Sequence, residues 1–564
     1  MALAAGAIAV EHGFYERPCE IWLLRVCTGA IVLAHGGLTV WAGLRRVGRA
    51  ELIASLVLQV AFVVGLGMDL AGLPAGWRLV EAGVVLRLFA ELWGAHLVLS
   101  RRLLRPEALL PVSFGVLIVV GALLLKLPRA VPRDDPLGWV DALFTSTSAV
   151  CVTGLTVRNT ATEFTEVGQM VILALIQLGG LGIIMFGSTL MLLLGRAMSL
   201  RENLSMSQML ADQPVHRLLG YGRFVLVATI VLELVGAALL YPMWSEREAA
   251  GASRLWLSVF HSVSAFCNAG FDITGESLTG HRTSPLSLVV VVMLIVMGGL
   301  GFPVLENIVR VGRARLHRLR GRPGLPAGYA VADARLSLHS RLVLATTLAV
   351  YLYGVVGILL GQLLQAGDPA GDGLGAGTVL RSLADAHFMS VTARTAGFNT
   401  LPMEHLAPSS VLVIMTLMIV GGSPGSTAGG AKTTTLAVLA LSVVATMRQR
   451  PEAEAGGRAI ADAIVRKAGT LGLCYFALIV ACTFALSLVE PFRLEPVLFE
   501  VISAATTTGL SLGITPDLTP EGKLVIIGAM FLGRVGPLTL LTGLLFGRKH
   551  EHQYTLAHEG VALG

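Results

Sequence analysis

A short motif that returns four times constrains this chain more than any other feature. Phe144, Ser148, Ala149 and Gly154 stand in the pattern F-x-x-x-S-A-x-x-x-x-G. Phe260, Ser264, Ala265 and Gly270 repeat it, as do Phe499, Ser503, Ala504 and Gly509. The stretch from Ser390 to Thr400 keeps the same Ser-to-Gly order with one extra residue and ends Gly397-Phe398. The four glycines lie 116, 127 and 112 residues apart. A period that long marks a whole structural unit used four times. Each motif is a polar, glycine-bearing loop between apolar helices. Such backbone is tolerated only where it is buried in protein or lines a watery cavity.

Composition agrees. The chain has 564 residues, 54% hydrophobic and 14% charged. A soluble domain carries nearer a quarter charged, so the chain reads as a polytopic membrane protein. The net charge of +6 gathers in particular loops and reads as membrane orientation rather than nucleic-acid binding. Six cysteines (Cys19, Cys27, Cys151, Cys267, Cys474 and Cys482) show no metal spacing. The opening residues lack a basic region, so no cleaved signal peptide is expected.

Three apolar segments come first, at 21–42, 51–72 and 79–100, each near the roughly 20 residues a spanning helix needs. Arg45, Arg46 and Arg49 follow the first, and Arg101, Arg102 and Arg105 the third. The positive-inside rule then sets the N-terminus outside. Residues 1–106 form an N-terminal extension without a glycine loop. Four units follow, at 107–201, 202–322, 323–450 and 451–550, with a cytoplasmic tail at 551–564. Each unit is a spanning helix, a half-length helix, the glycine loop and a second spanning helix. The half-length helices are expected at 138–150, 254–266, 379–391 and 495–505, and the second spans at 165–195, 285–310, 407–447 and 521–546. Eleven spans result. Basic residues gather in the expected inner loops: Arg196 and Arg201, Arg310 to Arg322, Arg448 to Lys467, and Arg548 with Lys549.

A half-length helix aims the negative end of its dipole at the membrane centre. An extended backbone there can turn carbonyls inward to replace a cation's water. Glycine permits the angles and the close approach. One such loop would read as an ordinary helix–helix turn; four in register argue for a ring.

The stretch from Gly421 to Thr435 interrupts the apolar run 407–447. Five glycines and a proline within ten residues oppose a helix, at about 1 kcal/mol for each Gly and 3 for Pro. A break at mid-membrane, bulging beneath the third loop, is a candidate gate; a packing kink or a cytoplasmic hairpin is the plainer alternative. A nucleotide-binding P-loop is excluded, because Ala431 rather than Gly precedes Lys432. Arg534 lies inside the last apolar span. A cation there is costly and marks a functional position, with a structural cap on helix carbonyls as the alternative; Lys432 carries the same two readings. His261, His387 and Glu500 are expected to hydrogen-bond behind the loops or at the outer mouth rather than to ligate an ion. Arg394 is expected to brace the third loop from behind. No intramembrane pair of carboxylates suits a proton relay.

Ser390 to Thr400, Gly421 to Thr435 and Gly533 to Thr539 resemble the third filter, intramembrane gate and last pore helix of the Trk/Ktr/HKT superfamily of potassium transporters. The resemblance covers about 107–550. It implies an all-α membrane protein with four pseudo-symmetric helix–pore-helix–filter–helix repeats around one pore, plus the three-helix extension. It places the filter at Val152-Thr153-Gly154, Asn268-Ala269-Gly270, Thr395-Ala396-Gly397 and Thr507-Thr508-Gly509. The gate becomes Gly421, Gly422, Gly425, Ser426, Thr427, Gly429, Gly430 and Lys432, with Arg534 as the pore arginine. Family members with Ser at the first filter glycine tend toward Na+, so Gly154 points to K+. The resemblance further implies a homodimer in the cytoplasmic (inner) membrane and a cytosolic ring of nucleotide-binding regulatory subunits.

The expected function is K+ uptake through a carbonyl-lined filter, with no catalytic cofactor and no enzymatic step; coupling to Na+ or H+ is left open. An alternating-access carrier is the alternative, but its broken helices would face opposite ways in two halves. An intramembrane hydrolase has only His261 beside Ser262, and adjacent helix residues do not face each other.

Overall fold

The computed structural model describes residues 106–182, 218–244, 253–282, 284–319, 335–365 and 376–536, with Thr28 and Val64. The N-terminal extension, the inner loops around Arg196 and Arg322 and the C-terminal tail lie outside the described residues.

The first unit contains α1 (Pro106–Leu125), α2 (Trp139–Cys151) and α3 (Glu166–Gly180). The second contains α4 (Leu218–Leu240), α5 (Arg254–Cys267), α6 (Pro285–Leu300) and α7 (Phe302–Leu319). The third has α8 (Leu338–Gln365), α9 (Ala376–Thr392), α10 (Pro408–Ile419) and α11 (Thr433–Met447). The fourth has α12 (Asp462–Val489), α13 (Leu494–Thr506) and α14 (Pro520–Val535). Local signals explain several starts. The Ser253, Thr165 and Thr519 hydroxyls accept from the amides of Trp256, Gly168 and Gly522 at the heads of α5, α3 and α14. Pro520 opens α14, where its missing N–H costs nothing.

Among the described residues, 220–243, 338–364 and 462–489 are long and apolar enough to cross a membrane. The exterior is unlike that of a soluble protein. Leu348, Leu352, Val356 and Leu360 of α8 point outward, as do Phe476, Val480 and Phe484 of α12. The hydroxyls of Ser146, Ser148, Ser264, Ser390 and Ser503 are buried. An apolar exterior suits a lipid solvent, and the buried hydroxyls then find their partners inside the protein. Phe144, Phe260, Phe388 and Phe499, one per half-length helix, are all buried in one core.

Three sequence expectations are corrected. The span expected at 285–310 is two helices, α6 and α7, meeting at 101°. Gly301 at the corner has φ +89°, and a Cβ there would lie 2.6 Å from the Pro424 carbonyl oxygen. The freed backbone is answered by the distant 420–432 loop: Phe302 N–H donates to Gly425 O (3.0 Å), and Gly299 O accepts from Ser423 N–H (3.0 Å). The all-α expectation is amended by a two-stranded antiparallel hairpin, β1 (Ala453–Ala455) and β2 (Arg458–Ile460), which buries Ala453, Ala455 and Ile460 against the ends of α11 and α12.

The third correction concerns register. Ser390 donates to Tyr351 O, as Ser146 donates to Ile118 O and Ser262 to Glu233 O. Ser390 is therefore the counterpart of Ser146 and Ser262. The counterpart of Ser148 and Ser264 is Thr392, whose hydroxyl donates to Phe398 O (2.6 Å) as that of Ser264 does to Phe271 O (2.7 Å). The third motif has one residue fewer between Phe and Gly, not one more.

Polar bonds stitch successive units together. Lys523 Nζ pairs with Asp141 at 2.8 Å, joining the fourth unit to the first. Arg282 holds buried Asp385 through Nε at 3.1 Å and Nη2 at 2.5 Å, joining the second to the third.

Candidate functional site

Three half-length helices end at once on a residue with left-handed backbone, and the one in the third unit reaches such a residue three positions past its end. Val152, Asn268, Thr395 and Thr507 have φ of 57°, 59°, 70° and 53°. For an L-residue this costs roughly 1–2 kcal/mol, and for β-branched Val and Thr it is a true outlier that persists only where the surroundings enforce it. The enforcement is visible. Thr153 N–H donates to Ser148 O, Ala269 N–H to Ser264 O and Thr508 N–H to Ser503 O, each at 2.8 Å. Ala396 N–H closes the shorter third turn onto Thr392 O at 2.9 Å. The Ser148 and Ser503 hydroxyls then accept from Gly154 and Gly509 N–H at 3.1 and 3.0 Å.

Two residues after each stop comes the glycine, and the four glycines meet. A Cβ built on Gly154 would lie 2.5 Å from Ala269 O, on Gly270 2.8 Å from Ala396 O, on Gly397 2.6 Å from Thr508 O, and on Gly509 2.0 Å from Thr153 O. Each glycine backs onto the carbonyl that precedes the next unit's glycine, and the fourth returns to the first. The sequence-assigned positions 152–154, 268–270, 395–397 and 507–509 thus come together in one cycle. Buried carbonyl oxygens are hard donors suited to a dehydrated alkali cation. The buried hydroxyls of Thr153, Thr395 and Thr507 have no protein partner among the described residues.

The 420–432 segment leaves the helix as its composition predicts, between Ile419 and Thr433. It is tied at its neck, where Gly421 N–H donates to Ala431 O (2.9 Å) and Thr433 N–H to Gly422 O (3.1 Å). Its tip is tied to other units. Thr427 Oγ1 donates to Phe266 O (3.1 Å), the carbonyl just before Cys267. Gly429 lies so close to the fourth loop that a Cβ would meet Thr507 Oγ1 at 1.8 Å. Arg534 donates to Thr427 O (2.6 Å) and to Gly179 O (2.7 Å), clamping the tip to the first unit. Lys432 Nζ donates to Ala428 O (2.8 Å), within the loop itself. Gly425, Ser426, Gly429, Gly430, Lys432 and Arg534 line one cavity of about 270 Å3, which reaches Phe114 of α1 and Tyr475 of α12. Gly421, Gly422 and Thr427 fall outside that lining.

The remaining sequence candidates take supporting places. His261 Nδ1 bonds Leu257 O (2.8 Å) and its ring packs on Trp244. His387 Nδ1 meets the Tyr351 hydroxyl at 2.8 Å. Glu500 accepts from the hydroxyls of Ser511 and Thr515, holding the strand that leaves the fourth loop. Arg394 reaches Thr347 of α8 at 3.5 Å, behind the third loop.

Sequence reasoning passed over Glu233. It is the single acid of the apolar α4, and it accepts from Gln177 Nε2 of α3 at 3.2 Å. Cys267 donates to Gln177 Oε1 at 3.6 Å, so amide, carboxyl and thiol join the first two units where the second loop begins. A lone carboxyl in a spanning helix was the available signal.

A family model described as a cation transport protein, TrkH, matches residues 110–551. The potassium/sodium uptake protein NtpJ of Enterococcus hirae is 36% identical over 469 residues, covering 82% of this chain and 98% of that protein. Ktr system potassium uptake protein B of Bacillus subtilis is 34% identical over 436 residues, covering 77% of this chain and 92% of its own. The crystal structure of the potassium transporter TrkH from Vibrio parahaemolyticus superposes with a TM-score of 0.59 at 19% identity, covering 97% of this chain and all of that one. It shares the fold.

Proposed function

Because this chain belongs to the TrkH family of cation transport proteins, within the Trk/Ktr superfamily of potassium transporters, we propose that it conducts K+ into the cell through the ring of glycine loops. It is a multi-pass membrane transporter, not an enzyme; K+ is its cargo and it has no catalytic cofactor. The observation that carries the reading is the closed cycle of glycine-to-carbonyl contacts from Gly154 through Gly270 and Gly397 to Gly509.

In this reading the units 107–201, 202–322, 323–450 and 451–550 surround one pore. K+ sheds water at the mouth and is received by carbonyls around the glycines. Selectivity follows from how far those carbonyls can close on a smaller ion. The loop from Gly421 to Lys432 is the gate. Arg534 holds it shut by gripping Thr427 O, and its own charge opposes a cation beneath the ring. Opening requires those carbonyl bonds to be released. The inner basic loops support a cytoplasmic position for this end and an outer one for the N-terminus, with the pore in the cytoplasmic membrane as part of the same proposal. A second copy and cytosolic nucleotide-binding subunits are the proposed partners; that relatives are named as parts of a Ktr system supports the chain working with further components. All four loops follow a short helix in the same order, which favours a pore over an inverted-repeat carrier.

Flux into proteoliposomes holding only this chain tests the reading, with K+, Rb+ and Na+ compared under an imposed voltage. K+ and Rb+ fluxes well above Na+ are expected. Equal Na+ and K+ fluxes would sink the selectivity argument.

A further inference from the structure

A groove of about 770 Å3 runs along the outside of the third unit. One wall is a stripe of α8 from Leu338 to Tyr353, and the other is α11 from Leu436 to Leu441. Fifteen helical steps make the stripe about 22 Å long. One leaflet of hydrocarbon is about 15 Å deep. Since α8 is among the helices long enough to cross a membrane, the groove opens sideways at bilayer depth.

The two ends differ. At the deep end the Tyr353 hydroxyl is bonded to Thr416 (3.1 Å), which itself donates to Val413 O (2.7 Å), so the polar atoms there are answered within the protein. At the other end the hairpin closes the groove with Ala455 and Gly456. Arg341 lies there, exposed, and among the described residues it has no ion-pair partner. Glu454 is the acid of this rim, and Arg450 pairs with it at 2.7 Å. The charge of Glu454 is thus taken up by Arg450, and Arg341 stands at this rim as a cation without an ion pair among the described residues, above an apolar channel about 22 Å long. Basic pockets between spanning helices on the cytoplasmic side hold anionic head groups.

We propose that this groove binds an anionic phospholipid, with its phosphate at Arg341 and one acyl chain along α8, and that its occupancy biases the 420–432 loop. The link to the loop is direct. Val420 lines the groove and bridges to Ala431 across the loop's neck. Leu436 lines it less than one turn after the loop ends. An acyl chain therefore packs against both ends of the segment. This second step rests on the gate reading above; the binding step does not.

The test uses the full chain, purified in detergent and titrated with phosphatidylglycerol or phosphatidylcholine, with bound lipid counted by native mass spectrometry. Preferential phosphatidylglycerol binding is expected. Arg341→Gln weakens it about fivefold and leaves phosphatidylcholine unchanged. Ala349→Trp, at an exposed position on the groove wall, removes the tight site altogether. Phosphatidylglycerol binding that survives both substitutions overturns the proposal. So does an Ala349→Trp chain that changes only its oligomeric mass, since the occupant is then a second copy. In vesicles, Rb+ flux should respond to added phosphatidylglycerol in the wild type and not in Arg341→Gln. Binding without that response overturns the coupling alone, and loss of all flux in the wild type counts against the pore reading instead.

Discussion

The glycine loops and the 420–432 segment are both irregular backbone inside an apolar shell, yet they are held in different ways. Each glycine loop is braced from within its own unit. Its left-handed stop is closed onto the preceding helix, and a Ser or Thr of that helix grips the strand. The 420–432 segment has its neck and the Lys432 bond to Ala428 O for local support, and much of its bonding reaches other units. Its tip is held by Phe266 O, Gly179 O through Arg534, and the fourth loop. Self-braced backbone keeps its shape when neighbours shift, whereas backbone braced across units changes when the units move. That contrast suits the rigid filter and movable gate proposed above.

The strongest way to break the contrast is to crowd the ring. Gly509→Ala puts a Cβ 2.0 Å from Thr153 O at φ +92°. Rb+ flux in proteoliposomes should fall more than about a hundredfold, since backbone on both sides must shift. Wild-type flux from this variant would remove the ring as the conduction path. Next in size, Arg534→Gln should raise flux about tenfold, because two charge-assisted bonds of about 1.5–3 kcal/mol each are weakened on the closed side. A deletion within 423–428 should act in the same direction. Lower flux from a correctly inserted protein would count against a barrier there. Gly154→Ser should reduce K+ over Na+ preference several-fold. Its Cβ pushes the Ala269 carbonyl, 2.5 Å away, out of the cage, and an unchanged ratio would take Gly154 out of the selection step. The smallest effect expected is at the outer clamp. Asp385→Asn should cost about 2 kcal/mol of stability, below the 3–5 of a fully buried pair because Arg282 keeps 46% of its side-chain surface in water. It should lower the melting temperature and leave ion preference intact; a changed preference would show that the clamp shapes the ring.

The half-length helices were legible because a glycine at fixed distance marks each end. Three of the four were expected within a residue or so at each boundary, and the third begins three residues earlier than expected. The corner at Gly301 was not legible. Gly-Gly-Leu-Gly-Phe-Pro reads as the middle of an apolar run, and the groups that stabilise the break lie over 120 residues later, on Ser423 and Gly425. The register slip at Ser390 has a similar cause. Buried hydroxyls recur at two positions on these helices, one tied to the preceding long helix and one to the loop, and only their partners tell them apart. Phe388 was the safer anchor. Glu233 was readable as an acid in an apolar helix, but its role needed Gln177, 56 residues away.

The cycle of contacts around the four glycines has a consequence for biogenesis. Lys523 answers Asp141 across 382 residues, and Arg534 answers Gly179 across 355. A chain emerging from the ribosome inserts its first loop long before the last is made. Until the fourth unit arrives, the strand at Thr153 and Gly154 has a neighbour on one side only. The nascent protein therefore holds polar, strained backbone exposed within the bilayer for most of its synthesis, and a chain truncated after the third unit could never cover it. Quality control at the membrane has a clear feature to detect in every incomplete copy.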